Sequence, residues 1–222
     1  MNSAPNATPG LSSEALFLFA RSEYNTHGHR YENPDYSEVK AKEVYLNLCH
    51  QFAEILRICA NSTSLKEDGE IGYGDDKLHS PHSYFIGEKT GFSCTFSMFR
   101  GFHLAMKLDH TNNMKLMKDE FWAMFFQLST TGEFSFREVE KPTKEMRQSY
   151  PQLFNKQSSY FKLIRNYVLF EQRYGEVRSL GSVSVKWERD ISYHSLAQKC
   201  AEAFGLFYKV HFLLWQAEQK KN

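Results

Sequence analysis

The apolar positions of this chain follow two rhythms, and each predicts a different kind of element. Between Ser37 and Ala60, the residues Tyr45, Leu48, Cys49, Phe52, Ile55, Leu56 and Cys59 recur at spacings of three and four. That spacing lines one side of a helix, and Asp35 or Ser37 can cap its start by accepting bonds from the first free N–H groups. Tyr160 to Tyr174 repeats the pattern through Tyr160, Phe161, Ile164, Tyr167, Val168 and Phe170. Gly101 to Leu128 reads as mostly helical, broken near Asp109 to Asn113, with Met117, Phe121, Met124, Phe125 and Leu128 on one face.

The second rhythm has a period of two, which in a strand sends successive side chains to opposite faces. Phe92, Cys94, Phe96 and Met98 alternate with Ser93, Thr95 and Ser97. Gly91 to Met98 therefore pairs with Ser83 to Gly87 as a hairpin around Glu88-Lys89-Thr90, and its apolar face suits a core sheet. Glu133 to Val139 reads as a strand through Phe134 and Phe136. Ser182, Ser184 and Lys186 alternate with Val183, Val185 and Trp187. Tyr24 to Tyr36, Asn61 to Ser80 and Lys141 to Lys156 are polar and read as loops. Met1 to Ser13 reads as a flexible tail, and Ala15 to Ala20 is an apolar run too short to be assigned to helix or strand.

After the last strand, Asp190 or Ser192 can cap a helix that runs to about Ala203 through Tyr193, Leu196, Ala197 and Cys200. Gly205 suits the position just past a helix end. Leu206 to Gln219 then forms a second helix, apolar nearly all round at Leu206, Phe207, Tyr208, Val210, Phe212, Leu213, Leu214 and Trp215. Such a helix must be buried on more than one side, and a second copy of the chain would supply the cover. The expected fold is α+β, mainly α. It comprises a flexible tail at 1–13, a mostly helical body with a small antiparallel sheet at 14–177, and a strand-helix-helix unit at 178–222.

Composition sharpens this picture only in places. The 222 residues suit one domain or one and a half. The net charge of +1 gives no whole-chain pull toward nucleic acid. Residues 178–222 nevertheless hold seven Lys/Arg against four Asp/Glu, leaving 20 against 22 before them. The four cysteines lie far apart with no Cys-x-x-Cys pair, and read as free thiols of a reduced, cytoplasmic protein. No run approaches the roughly 18 apolar residues of a membrane span, so no membrane contact is expected.

Catalytic signatures are sparse. No phosphate-binding loop, dinucleotide turn or nucleophile elbow is present, so no catalytic residue or cofactor is expected. His27/His29 and His79/His82 sit in polar stretches without further ligands at zinc spacing, and read as surface histidines. Arg189-Asp190-x-x-x-His194 fits the short signature of the HEPN ribonucleases. There the Arg and His act on an RNA phosphate. In this chain a strand-like run precedes the motif where that fold has a long helix.

Strand, helix, glycine turn and helix resemble the ribbon-helix-helix plan. Ser182-Val-Ser-Val-Lys-Trp-Glu-Arg-Asp-Ile191 is similar to the corresponding run of Arc-type repressors. The resemblance implies a homodimer whose strands pair as a ribbon, marginal alone in water, that enters the major groove of double-stranded DNA. It implies that Ser182, Ser184 and Lys186 face the bases, with Arg178, Arg189 and Lys209 as further DNA contacts. Val183, Val185, Trp187, Phe207, Val210 and Leu214 would then form the dimer core. Leu206-Phe207-Tyr208 replaces the phosphate-clamping start of that family's second helix. A second set of positions is Val185, Asp190-Ile191, Ala197, Ala201 and Phe204-Gly205, preceded by Leu163-Ile-Arg165 and Gln172-Arg-Tyr174. These resemble the AcaB-like transcriptional regulators of conjugative plasmids and integrating conjugative elements. That resemblance implies an activator of transfer genes, working with RNA polymerase or a co-regulator. The alternatives are a HEPN-like ribonuclease using Arg189 and His194, and a non-catalytic interaction protein.

Overall fold

The structure, a computed structural model, describes residues 38–74, 81–98, 100–139, 141–156, 158–174 and 179–221. Helix α1 (Glu38–Ser62) opens the described chain. Four strands follow: β1 (Gly69–Tyr73), β2 (His82–Gly87), β3 (Ser93–Met98) and β4 (Phe102–Asp109). A 3-10 turn (Thr111–Leu116) leads into α2 (Asp119–Thr131) and β5 (Glu133–Glu138). The short α3 (Lys144–Ser149) and a second 3-10 turn (Pro151–Phe154) precede α4 (Ser159–Tyr174), β6 (Ser179–Trp187) and α5 (Tyr193–Gln219). The strands form one six-stranded sheet in the order β1-β2-β3-β4-β6-β5, and every neighbouring pair is antiparallel.

Alternation kept in register across five strands gives the sheet two unlike faces. Phe85, Cys94, Met106, Val183 and Phe136 stand opposite one another from β2 to β5. Ser83, Phe96, Leu104, Val185 and Phe134 form the next such row. Helices cover this face. Phe52 of α1 meets Phe96 edge-on, with ring centroids 4.9 Å apart, and the Ser83 hydroxyl donates to the Cys49 carbonyl at 2.6 Å. Phe204 of α5 meets Phe85 and Phe92 edge-on, and Tyr160 of α4 stacks on Phe134 at 4.1 Å. Each large side chain buried this way contributes roughly 1.5–3 kcal/mol. The stripe predicted for α1, from Tyr45 to Cys59, lies wholly in this core.

The sheet is larger and the architecture different from the mainly helical body and ribbon-helix-helix unit expected. Residues 102–109 carry the helix-favouring residues Leu, Ala, Met and Lys, yet their apolar members fall at 102, 104, 106 and 108 and form β4. The period of two outweighs intrinsic propensity, because burial on the sheet is worth more than the few tenths of a kcal/mol that separate the propensities. β1 lies within the stretch read as a polar loop, masked by Gly69 and Gly72, residues depleted in strands.

The last strand and helix depart furthest from expectation. β6 is an interior strand, bonded to β4 on one side and β5 on the other. It has no free edge with which to form a two-chain ribbon. Val183, Val185 and Trp187 are buried under the helices of their own chain, and the Trp187 indole donates to the Thr131 carbonyl at 2.6 Å. The two helices expected on either side of Gly205 are one continuous helix, capped at its start by the Ser192 hydroxyl. Phe207, Val210 and Leu214 have no exposed surface, because α5 packs against α1, α2 and β4. The six residues assigned to a dimer core therefore fill the core of the single chain.

Two glycines make opposite predictions. Gly181 sits at a bulge where β6 shifts register against β4, with a φ of 140°. A Cβ there would lie 2.1 Å from the Arg137 carbonyl oxygen. Gly181→Ala is expected to destabilise the protein by more than about 2 kcal/mol, through backbone strain and the clash together. Gly205 is helical, and a Cβ there meets only the Thr63 side chain, at 3.6 Å. Gly205→Ala should add about 0.5–1 kcal/mol by raising helix propensity. Thermal unfolding of the two variants checks both signs, with a gain of about 1–4 °C expected for Gly205→Ala.

Candidate functional site: the uncovered face of the sheet

The strand residues that alternate with the core positions form a second face, and no described helix packs on it. Tyr84, Thr95, Ala105, Ser184 and Ser135 cross it in one row from β2 to β5. His82, Ser97, His103, Lys186 and Glu133 make the adjacent row. Lys107, Ser182 and Arg137 lie further along β4, β6 and β5. Small hydroxyl side chains dominate the middle, and the Ser135 and Ser184 hydroxyls bond each other at 2.7 Å. Toward the β1 edge the face turns apolar. Ile86 is 42 % exposed, and the Tyr84 ring lies over Gly72, where a Cβ would come within 2.4 Å of it.

The charges of this face balance. Lys186 pairs with Glu133 at 3.5 Å and Lys107 with Asp109 at 3.1 Å. Arg137 on β5 and Glu70 on β1 stand at opposite edges of the sheet, one cation and one anion. Exposed pairs of this kind contribute at most about 1 kcal/mol each, but they cancel the local field. The arrangement offers a broad array of hydrogen-bonding groups with no net electrostatic pull, which differs from the basic stripe that duplex DNA attracts.

The residues assigned to DNA contact are not gathered in one place. Ser182, Ser184 and Lys186 do lie together on the uncovered face, as their alternation implied. Lys209 is exposed on α5, in the helical layer behind the sheet. Arg189 lies in the turn after β6 and His194 in the first turn of α5. Arg178 falls outside the described residues, as do His27, His29 and His79. Sequence reasoning missed Tyr84, His103, Lys107 and Arg137. The signal for His103 and Lys107 was the alternation of β4, passed over because that stretch also reads as helix.

Other polar groups are committed to the core. Among the described residues no three His, Cys, Asp or Glu side chains converge as metal ligands would. Cys49, Cys59, Cys94 and Cys200 are free and buried. Burial pushes the Cys94 and Cys200 thiols well up, away from the thiolate that a nucleophile or ligand needs. No described helix is long and apolar enough to cross a membrane. No protein-family model, curated protein or solved structure matches the chain.

His211 is the buried titratable group with a measurable consequence. It is 2 % exposed, and its Nε2 lies 3.1 Å from the Thr90 carbonyl oxygen. An oxygen at that distance requires an N–H, so Nε2 carries the proton; Nδ1 is buried without a hydrogen-bond partner. Desolvation lowers the His211 pKa, and nearby His110 acts the same way. The Thr90 bond, Asp109 and Glu67 act against them. Because the folded pKa lies below the unfolded value near 6.5, the unfolded chain takes up a proton that the folded one resists. This contribution is full above pH 6.5 and declines as pH falls toward the folded pKa. His211→Gln, which keeps an N–H for Thr90, should flatten the fall in denaturation free energy between pH 7 and 5. An unchanged slope would assign the acid sensitivity to other groups.

Proposed function

We propose that this chain is a non-catalytic interaction protein that binds a protein partner through the uncovered face of its sheet. One observation carries the reading. A six-stranded sheet keeps one face under four helices and, among the described residues, presents on the other a hydroxyl-rich surface with an apolar margin at Tyr84 and Ile86. An antiparallel sheet can face water on one side without any partner. The aromatic and aliphatic side chains at the margin are what favour binding, since such groups anchor protein interfaces while polar groups around them provide hydrogen bonds.

Charge balance favours a protein over nucleic acid as the partner. Binding to duplex DNA draws most of its affinity from phosphate neutralisation, and on this face Lys107 and Lys186 already have carboxylate partners. Double-stranded DNA is the competing outcome, because Ser182, Ser184 and Lys186 share the face. The role in conjugative transfer implied by the second resemblance would follow only from that outcome.

A photo-crosslinking residue placed at Thr95 or Ser184 in cells producing the protein tests the reading. Both positions are expected to give the same discrete protein adduct, and exposed Lys199 on α5 none. Ile86→Asp should reduce that adduct several-fold without loss of folded protein. Absence of an adduct from both face positions overturns the reading. So does salt-dependent binding of duplex DNA that Lys186→Ala weakens, which would restore the DNA-binding alternative.

A further inference from the structure

One row of side chains crosses all six strands on the uncovered face. Glu70 and Ile86 are partners across β1 and β2, and Ile86 and Ser93 across β2 and β3. The β3–β4 register, with Cys94 opposite Met106, sets Ser93 beside Lys107. Lys107, Ser182 and Arg137 complete the row across β4, β6 and β5. It begins on an exposed carboxylate at one edge of the sheet and ends on an exposed guanidinium at the other. Neither Glu70 nor Arg137 has an ion-pair partner among the described residues. Five strand spacings, about 24 Å, keep them from pairing with each other. An occupant that satisfies both carries a cation and an anion at the same separation, in the reverse order.

A second copy of the chain carries that pair. We propose that the partner of the uncovered face is this second copy, packed sheet on sheet about a twofold axis that runs along the strands between β3 and β4. The proposal rests on the face being the binding surface. Such an axis lays β1 over the partner's β5, β2 over its β6 and β3 over its β4, and keeps each row on itself. Glu70 then faces the partner's Arg137, and Arg137 the partner's Glu70. Stacked sheets lie about 10 Å apart, within the combined reach of these two side chains. The large Tyr84 and Ile86 of β2 fall over the partner's Ser184 and Ser182, so bulk meets small residues. Lys186 meets the partner's His82 and keeps Glu133 as its counter-charge. An axis across the strands would instead lay β1 on β1 and β5 on β5, gathering like charges at each edge. The area suffices. Strands of five to nine residues in a six-stranded sheet cover about 600 Å2 per copy, and the roughly 1,200 Å2 lost by two copies reaches the lower end of specific interfaces. The open groove of about 800 Å3 in the helical layer, between the end of α1, α2 and α5, takes no part.

Charge reversal at the two edges tests the proposal in the full-length chain. Sedimentation across a dilution series is expected to show a monomer–dimer equilibrium for the wild type. Glu70→Arg and Arg137→Glu each place two like-charge contacts in the dimer, and each should weaken it at least about tenfold. Both positions are exposed edge sites, and circular dichroism should show both variants folded. An equimolar mixture of the two variants regains both opposite-charge contacts. Native mass spectrometry of that mixture should show the heterodimer far in excess of either homodimer. A wild type that stays monomeric overturns the proposal. The wider reading then survives if Thr95 and Ser184 capture a different protein, and falls with it if they capture none. A dimer indifferent to both reversals overturns the proposal by placing the contact elsewhere, and so does a mixture that fails to favour the heterodimer.

Discussion

The hydrogen bonding of β6 along both of its edges is the constraint on which the rest of the structure depends. β6 pairs antiparallel with β4 and with β5, so those two strands run parallel to each other with β6 between them. The chain lays down β4, crosses over through α2 to β5, and leaves a slot that β6 fills only after α3 and α4. An unfilled slot would leave two rows of backbone N–H and C=O groups facing each other without partners, each costly if buried. Filling it brings Val183 and Val185 into the apolar rows of the other strands and sets Trp187 against the end of α2. The same event completes the uncovered face, because Ser182, Ser184 and Lys186 arrive on it together.

Much of this was legible in the residues. The stripe of α1, the hairpin of β2 and β3, and the two-faced character of β6 all followed from periodicity, and each side chain in them points where its period sent it. What misled was the step from a local pattern to its partner. An alternating strand followed by apolar helical sequence fits a ribbon in a dimer as well as it fits an interior strand in a monomer. The pattern states only that one face is buried. The cover for α5 comes from Glu38–Ser62 and Asp119–Thr131, far away in sequence. No reading confined to residues 178–222 could find it. The break expected at Gly205 failed for a related reason. Glycine can end a helix but also sits inside one at a cost of only about 1 kcal/mol, and here α5 runs on past Thr63 with room to spare.

The candidate surface was harder to read than the fold because it exists only after assembly. Lys186 is a free cation in the sequence and a paired one in the sheet, since Glu133 arrives from β5. Lys107 loses its pull on anions to Asp109 two residues along β4. A charge count along residues 178–222 shows a basic excess, but Lys209, Lys220 and Lys221 belong to the helical layer or its end. The sheet pairs Lys107 and Lys186 with its own carboxylates, and the excess that suggested DNA is spread over surfaces that face different ways.

The uncovered sheet face and the open groove lie on opposite layers, and their physical characters differ. The uncovered sheet face is backed by closely packed, fully buried side chains such as Phe96, Leu104 and Val185. Dense packing of that kind resists deformation, so the spacing of hydroxyls and rings above it is fixed by the strands. The groove is bounded by the ends of α1 and α2, where helices fray most readily, and by an α5 surface whose Leu206 and Leu213 remain half-buried. A rigid array of the kind the sheet presents selects a partner by complementarity of shape and hydrogen bonding. The division follows from the amphipathic sheet. Its apolar face organises the helices, so the polar face stays regular while irregular contacts gather where the helices meet.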